Sequence, residues 1–317
     1  MTNITVFTPT FNRAHTLQRV YSSLLNQTDK EFLWLIIDDG STDNTKVQVN
    51  SWQKEGQIEI EYQFKENGGK HTAMKLAYEL AKTKYILALD SDDELTPDAV
   101  EKFRKEWERI EVDGLGYRFA EVSGLSYSKK YGKLIGNFYF PEGTEYIDSY
   151  WHEMVLKYQN NNEHVVCWNT DKLRECVRLD EDIWLSEKIS FLGEFVLWAR
   201  IGKKYKTRYI DKCLQIVHYD AGESLLRTTN YTKAHYASLV GNKYFLDENL
   251  NYFLWNPKYF NHLILKFIIS GIELRISPIE ILRNIQTTRF RVFYLVFLPI
   301  GFLTWAYFKF IKRKFWF

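Results

Sequence analysis

Apolar and polar positions fall into alternating blocks over the first hundred residues. Ile4–Thr8 is a short β-branched run and predicts a strand. From Asn12 to Leu25, the residues Leu17, Val20, Tyr21 and Leu24 recur at helical spacing, and Asn12 is placed to cap that helix. Phe32–Ile37 is continuously apolar and predicts a buried strand ended by Asp38-Asp39-Gly40-Ser41. Asp43 to Trp52 reads as a second helix, with Ser41 or Thr42 as its cap. Ile58–Phe64 alternates, as a strand does. His71 to Ala81 is a third helix, with Ala73, Leu76, Ala77 and Leu80 on one face. Tyr85–Leu89 is a fourth strand and runs into Asp90-Ser91-Asp92-Asp93. Pro97 to Arg109 is a helix with Thr96 as its N-cap ahead of a first-turn proline.

This order predicts an α/β domain with a largely parallel, helix-covered sheet. Such sheets bind ligands beyond the carboxyl ends of their strands. Pro9–Arg13, Asp38–Asp43, Lys65–His71 and Asp90–Asp93 each follow a predicted strand, so all converge on one edge. The stretch from Gly114 to Ile210 is mixed. Within it Gly193 to Arg200 reads as helix and leads to Lys203-Lys204-Tyr205-Lys206, and Tyr209–Val217 then reads as a strand.

After about Thr228 the character changes. Tyr259–Ile276 and Arg289–Phe317 are rich in large apolar residues with interspersed Lys and Arg. Val292–Phe308 is a charge-free run of 17 residues, at the short end of the roughly 17–25 that span a bilayer, and Pro299 interrupts it. Arg289 and Arg291 precede it; Lys309, Lys312, Arg313 and Lys314 follow. Basic flanks beside aromatic residues predict peripheral attachment to the inner face of a membrane rather than a full crossing.

Composition adds exclusions. The net charge of +2 gives no global field for nucleic acid. Three cysteines (Cys167, Cys176, Cys213) fit a reducing compartment, and Ile4–Phe11 lacks the basic flank and cleavage site of a secretory leader, so a cytoplasmic location is expected. No G-x-G-x-x-G follows the first strand and no G-x-x-x-x-G-K-[ST] occurs, which argues against dinucleotide and P-loop chemistry.

The polar clusters suggest their own chemistry. Three acids in Asp90–Asp93 repel one another and can grip a hard cation such as Mn2+ or Mg2+, which favours carboxylate and phosphate oxygens. Asp38 and Asp39 lack an obvious structural duty, and either can accept a hydrogen bond from a base or ribose. Pro9 and Phe11 form an apolar wall. In Asn67-Gly68-Gly69-Lys70-His71, the glycines can bring backbone N–H groups to an anion that Lys70 neutralises.

Three of these segments in their order and spacing are Val6–Arg13, Ile36–Asp43 and Leu89–Asp93. Together they resemble the family 2 inverting glycosyltransferases of bacterial surface-polysaccharide type, over residues 1 to about 215. The resemblance implies a GT-A fold: a Rossmann-like, mostly parallel central sheet with helices on both faces. It implies a catalytic domain over 1–215, with a nucleotide-binding half at about 1–110 and an acceptor half at about 111–215. A C-terminal helical, membrane-associating region would occupy 216–317. Pro9 and Phe11 would hold the nucleoside, Asp39 the base, Asp90 the donor sugar or ribose, and Asp92 the metal. Family members usually carry Gly-Glu-Asp at a late helix start, where an acid is the general base. Here Gly193-Glu194-Phe195 stands there, so Glu194 is the candidate base and Phe195 a departure. His218 and Arg227 are candidates for the diphosphate. The implied reaction moves a sugar from a nucleotide-sugar donor, UDP by resemblance, to a glycan or lipid-linked acceptor. The competing reading is a catalytically silent scaffold that binds nucleotide sugar or glycan.

Overall fold

The computed structural model describes residues 3–177, 194–219 and 231–311. The chain divides into two compact units, residues 1–185 with 200–224 and residues 186–199 with 225–317.

In the first unit, β1 (Ile4–Thr10), α1 (Ala14–Leu25), β2 (Phe32–Asp38), α2 (Thr45–Glu55), β3 (Glu59–Phe64), α3 (Lys70–Leu80), β4 (Tyr85–Ala88) and α4 (Ala99–Val112) follow the predicted order. β1 pairs in parallel with β2 and β4, and β2 in parallel with β3. Beyond β4 the sheet becomes mixed. β9 (His164–Asn169) runs antiparallel to both β4 and β6 (Phe119–Ser128), and β6 runs parallel to β10 (Lys206–Val217). β5 (Glu94–Leu95) and β8 (Tyr146–Ser149) pair antiparallel with β10, and β7 (Lys133–Leu134) with β6. The order is β3-β2-β1-β4-β9-β6-β10-β5.

The alternation of side chains along β1 explains why helices cover both faces. Val6 joins a buried cluster with Leu17, Val20 and Leu24 of α1 and Phe103 and Trp107 of α4. Phe7, on the opposite face, meets the ring of Tyr78 in α3, with centroids 6.2 Å apart. Tyr21, Trp34 and Trp52 stack beneath α1 and α2, and Tyr85 stacks on Trp107 at 4.5 Å.

Two predicted details need correction. The buried face of α3 is His71, Ala73, Met74, Ala77 and Tyr78, whereas Leu80 is exposed. The inward stripe follows Tyr78, whose ring lies between Phe7 and Trp168. Thr96 and Pro97 do not start α4. Ala99 N–H donates to the Thr96 carbonyl, so Pro97 sits inside a turn before the helix, and Asp98 takes the N-cap position.

His164 opens β9 with Nδ1 3.3 Å from the Gly124 carbonyl, and its Nε2 is shut off from solvent without a partner. Burial lowers its pKa from 6.5 to about 4. Above pH 6.5 the ring is neutral in the folded and unfolded chain alike. Below that, the unfolded chain takes up a proton that the folded ring refuses, so stability falls as pH drops from 6.5 toward 4, by at most about 1.4 kcal/mol per unit. His164→Gln is expected to flatten this part of the melting temperature against pH. Parallel curves for variant and wild type from pH 7 to 4.5 contradict the assignment.

The second unit is helical. After α5 (Thr170–Cys176), α6 (Phe195–Lys204) begins in this unit and ends in the first. α7 (Tyr231–Asn249), α8 (Pro257–Glu273), α9 (Pro278–Asn284) and α10 (Thr288–Ala306) follow. Asn256, Ser277 and Thr287 each accept a backbone N–H at a helix start, and Pro257 and Pro278 open two of those helices. Phe267 of α8 packs against Phe290 and Tyr294 of α10. The opposite side of α10 is bare: Val292, Leu295, Val296, Phe302 and Leu303 are each more than half exposed.

Candidate active site

β4 delivers the acidic turn. Leu89 N–H donates to the Phe7 carbonyl, and Asp93 N–H closes the turn on the Asp90 carbonyl. β5 then pins the downstream end by pairing Glu94 with Ile216 and Leu95 with Gln215. Asp90, Asp92 and Asp93 each offer a carboxylate oxygen within 4.8 Å of the others. Asp93 is 4% exposed and accepts from Gln215 Nε2 at 2.8 Å and from His218 N–H at 3.0 Å. Burial, and then the charge of Asp90, raises Asp92 above the ordinary carboxylate range and pushes Asp93 up to about 8. The counter-charges are Lys70, 2.8 Å from Asp90, and Arg13, 3.7 Å from Asp92. Arg19 also donates to the Asp92 carbonyl at 2.8 Å. Three crowded all-oxygen donors are a fitting set for a hard divalent cation.

The next two strand ends are braced to each other. Asn12, at φ 52°, accepts from Thr42 N–H with its side chain and donates its own N–H to Ser41 Oγ, both at 2.8 Å. The expected caps are therefore corrected. Asn12 crosses to the second turn, and Arg13 takes the N-cap position of α1. Ser41 and Thr42 are used in the same brace, while Asp43 accepts from Thr45 N–H at the start of α2.

Asp38 and Asp39 do carry structural duties, contrary to expectation. Asp38 accepts from Ser41 N–H at 2.8 Å and from the Tyr62 hydroxyl. Asp39, 3% exposed, pairs with Lys65 and accepts from the N–H groups of Gly68 and Gly69 at 3.0 and 2.7 Å. The glycine loop thus spends two N–H groups on Asp39. Gly40 makes that approach possible: its φ is +89°, and an added Cβ would lie 2.8 Å from Asn67 N. Gly40→Ala is expected to cost about 1–3 kcal/mol through backbone strain and to push the glycine loop off Asp39. A melting temperature equal to wild type contradicts this.

Of the sequence-predicted site residues, Pro9 is buried in β1 opposite Ile37, and Phe11 lies just beyond that strand, 42% exposed. Asp39, Lys70, Asp90 and Asp92 stand at the same carboxyl edge. His218 follows β10, with Nε2 2.6 Å from Glu94 Oε1. Glu194 belongs to the second unit and opens α6, its carbonyl accepting from Leu197 and Trp198 N–H. The predicted helix start at Gly193 and the candidate Arg227 lie outside the described residues. Phe195, where the family usually has its second acid, is a packing residue, its ring 5.5 Å from Phe245. Asp93 and Lys65 lay within clusters read from the sequence but were given no individual role; Arg19 and Gln215 were missed as site residues and had no local signal.

Comparison with known proteins agrees with this geometry. Residues 5–170 match the family model described as "Glycosyl transferase family 2". A stretch of 104 residues is 40% identical to the chondroitin synthase of Pasteurella multocida, covering 33% of this chain and 11% of the synthase. Over 206 residues the chain is 25% identical to glycosyltransferase GlyA of Streptococcus pneumoniae, covering 62% of this chain and 29% of that protein. The chain thus spans well under half the length of these relatives. Residues 1–349 of S. aureus TarS, in the crystal structure with UDP-GlcNAc, superpose with a TM-score of 0.61 at 13% identity. That superposition covers 99% of this chain and 93% of the TarS chain, and it shows a shared GT-A fold.

Proposed function

The chain belongs to glycosyl transferase family 2, and from that premise we propose that it transfers a sugar from a UDP-sugar to a hydroxyl of a glycan or lipid-linked glycan, with inversion. The observation that carries the reading is the Asp90–Asp92–Asp93 cluster, which lies inside the family match and at the carboxyl edge of the parallel strands β1, β2 and β4. The choice of UDP is supported by TarS, whose structure holds UDP-GlcNAc.

In this reading Phe11 and Asp39 receive the nucleoside, with Asp39 already fixed by the glycine loop. Asp92, with Asp90 and Asp93 beside it, would hold Mn2+ or Mg2+, which would lend positive charge at the departing diphosphate. Lys70 sits at the same turn and offers its ammonium as a second positive charge. Glu194, assigned by resemblance, takes the proton of the acceptor hydroxyl. The hydroxyl oxygen bonds to the anomeric carbon as the bond from that carbon to the diphosphate oxygen breaks, and UDP leaves. His218, held by Glu94 and through its N–H by Asp93, is the candidate contact to the diphosphate. The test is UDP release from a panel of UDP-, GDP- and TDP-sugars with Mn2+, Mg2+ or chelator. Release confined to a UDP-sugar and lost with chelator is expected. No release from any donor with either metal defeats the reading and favours a silent scaffold.

We also propose that α10 attaches the protein to the inner face of a membrane from the cytoplasmic side. Among the described residues, Thr288–Phe310 is one helix long and apolar enough to cross a bilayer, yet only 11% of its apolar window is buried. Its bare stripe repeats at helical spacing beside Arg289, Arg291 and Lys309. Co-sedimentation with anionic phosphatidylglycerol vesicles is expected, and Leu295→Glu with Leu303→Glu should abolish it. Failure of the wild type to sediment contradicts the attachment.

A further inference from the structure

The acidic turn and the Asp39 latch account for a donor, but a transferase also needs a place for its acceptor. The chain link between β6 and β7 is Lys129-Lys130-Tyr131-Gly132, closed by the pairing of Ser128 with Lys133. This tip is held firmly. Tyr131 N–H donates to Ser128 Oγ at 3.1 Å, Gly132 N–H donates to the Ser128 carbonyl at 2.9 Å, and Ser128 is 1% exposed. Lys129 N–H donates to the Val217 carbonyl at 3.0 Å, which ties the tip to the end of β10. His218, anchored to Asp93, comes next after β10, and then Tyr219.

The result is a pair of rings at the rim of the acidic turn. Tyr131 and Tyr219 have centroids 5.7 Å apart and planes tilted by 55°. They are nevertheless 61% and 50% exposed. Asp93 and Glu163 lie close enough to act electrostatically on Tyr219. One exposed ring is ordinary on a protein surface; two held together by backbone bonds beside the acidic turn form an angled apolar cleft whose ring faces can each meet a sugar. Lys129, Lys130 and Lys133 stand exposed on the same tip, with Lys130 Nζ 5.3 Å from the Tyr131 ring centroid.

We propose that Tyr131 and Tyr219 form an acceptor subsite that stacks on a sugar ring, and that Lys129, Lys130 and Lys133 select acceptor glycans carrying acid groups, either carboxylates or phosphodiesters. This rests on the transferase reading above. Stacking supplies contact area that does not depend on which sugar is present. The lysines supply charge that a neutral glycan cannot use and that salt screens.

The test is calorimetric titration of the full chain with oligogalacturonate, poly(glycerol phosphate) and a neutral dextran of matched length. One or both acidic glycans should bind at least about 10-fold tighter than dextran at low salt, with the preference shrinking as salt rises. The two acidic probes separate a carboxylate from a phosphodiester preference. Tyr131→Ala or Tyr219→Ala should weaken binding by about 5–10-fold. Tyr131→Trp should keep it, and replacing the three lysines by Gln should erase the acid preference without shifting the melting temperature. Absence of binding to either acidic glycan, equal affinity for dextran, or full affinity in both alanine variants overturns the proposal. UDP release by the wild type without glycan is measured separately, so failure of the transferase reading is told apart from failure of the subsite.

Discussion

Asp92→Asn is expected to lower UDP release from the donor by about 10²–10³-fold, the usual loss when one charge-stabilising group is removed at a leaving group. The substitution keeps the side chain's size and removes its charge. Asp92 carries little of the fold: its side chain is about a quarter exposed and meets Arg13 only at 3.7 Å. Because burial and Asp90 already hold its carboxyl above the ordinary range, taking away the acid relieves repulsion rather than breaking a strong pair. The melting temperature is therefore expected to stay level or rise while turnover collapses. Asp93→Asn should behave differently. Asp93 is buried and accepts from both Gln215 and the His218 backbone, so an amide there turns one acceptor into a donor facing a donor and destabilises the turn. Equal turnover in wild type and Asp92→Asn, at saturating Mn2+, would remove the acidic turn from the reaction.

Glu194→Gln is expected to lower transfer to an acceptor by about 10²–10⁴-fold, the range a positioned general base contributes. Donor affinity should change little. The start of α6 should survive, because its hydrogen bonds are accepted by the Glu194 backbone carbonyl, which the substitution leaves in place. This split separates a base from a helix-start acid, whose loss costs stability rather than rate. Unchanged transfer together with a lowered melting temperature would make Glu194 structural.

The strands β1, β2 and β4 were legible because each is a continuous apolar run, as burial on both faces requires. So was the convergence of four strand ends on one edge. In the second half of the sheet β10 was legible, as Tyr209–Val217, but β6 and β9 were not. β6 is interrupted by Gly124 and several serines, yet almost all of it is buried, and a Cβ at Gly124 would come within 2.8 Å of Leu214. The glycine that blurs the strand pattern is what lets β10 pack so closely. Nor does spacing along the chain reveal that β9 inserts between β4 and β6, because the pairing is set by strands some eighty and forty residues away. The acidic turn could be read as a cluster, but its support could not. Gln215, Arg13 and Arg19 reach it from other elements. Asp39 looked free because its partners, Lys65, Gly68 and Gly69, lie in a loop nearly thirty residues on.

The central claim is that this turn binds the diphosphate of a uridine nucleotide with a divalent cation, and calorimetric titration of UDP tests it most directly. Wild type should bind UDP in Mn2+ and lose about 100-fold or more in affinity with chelator, and Asp92→Asn should show the weak affinity in both conditions. Tight UDP binding that is indifferent to Mn2+, chelator and Asp92→Asn would contradict the account.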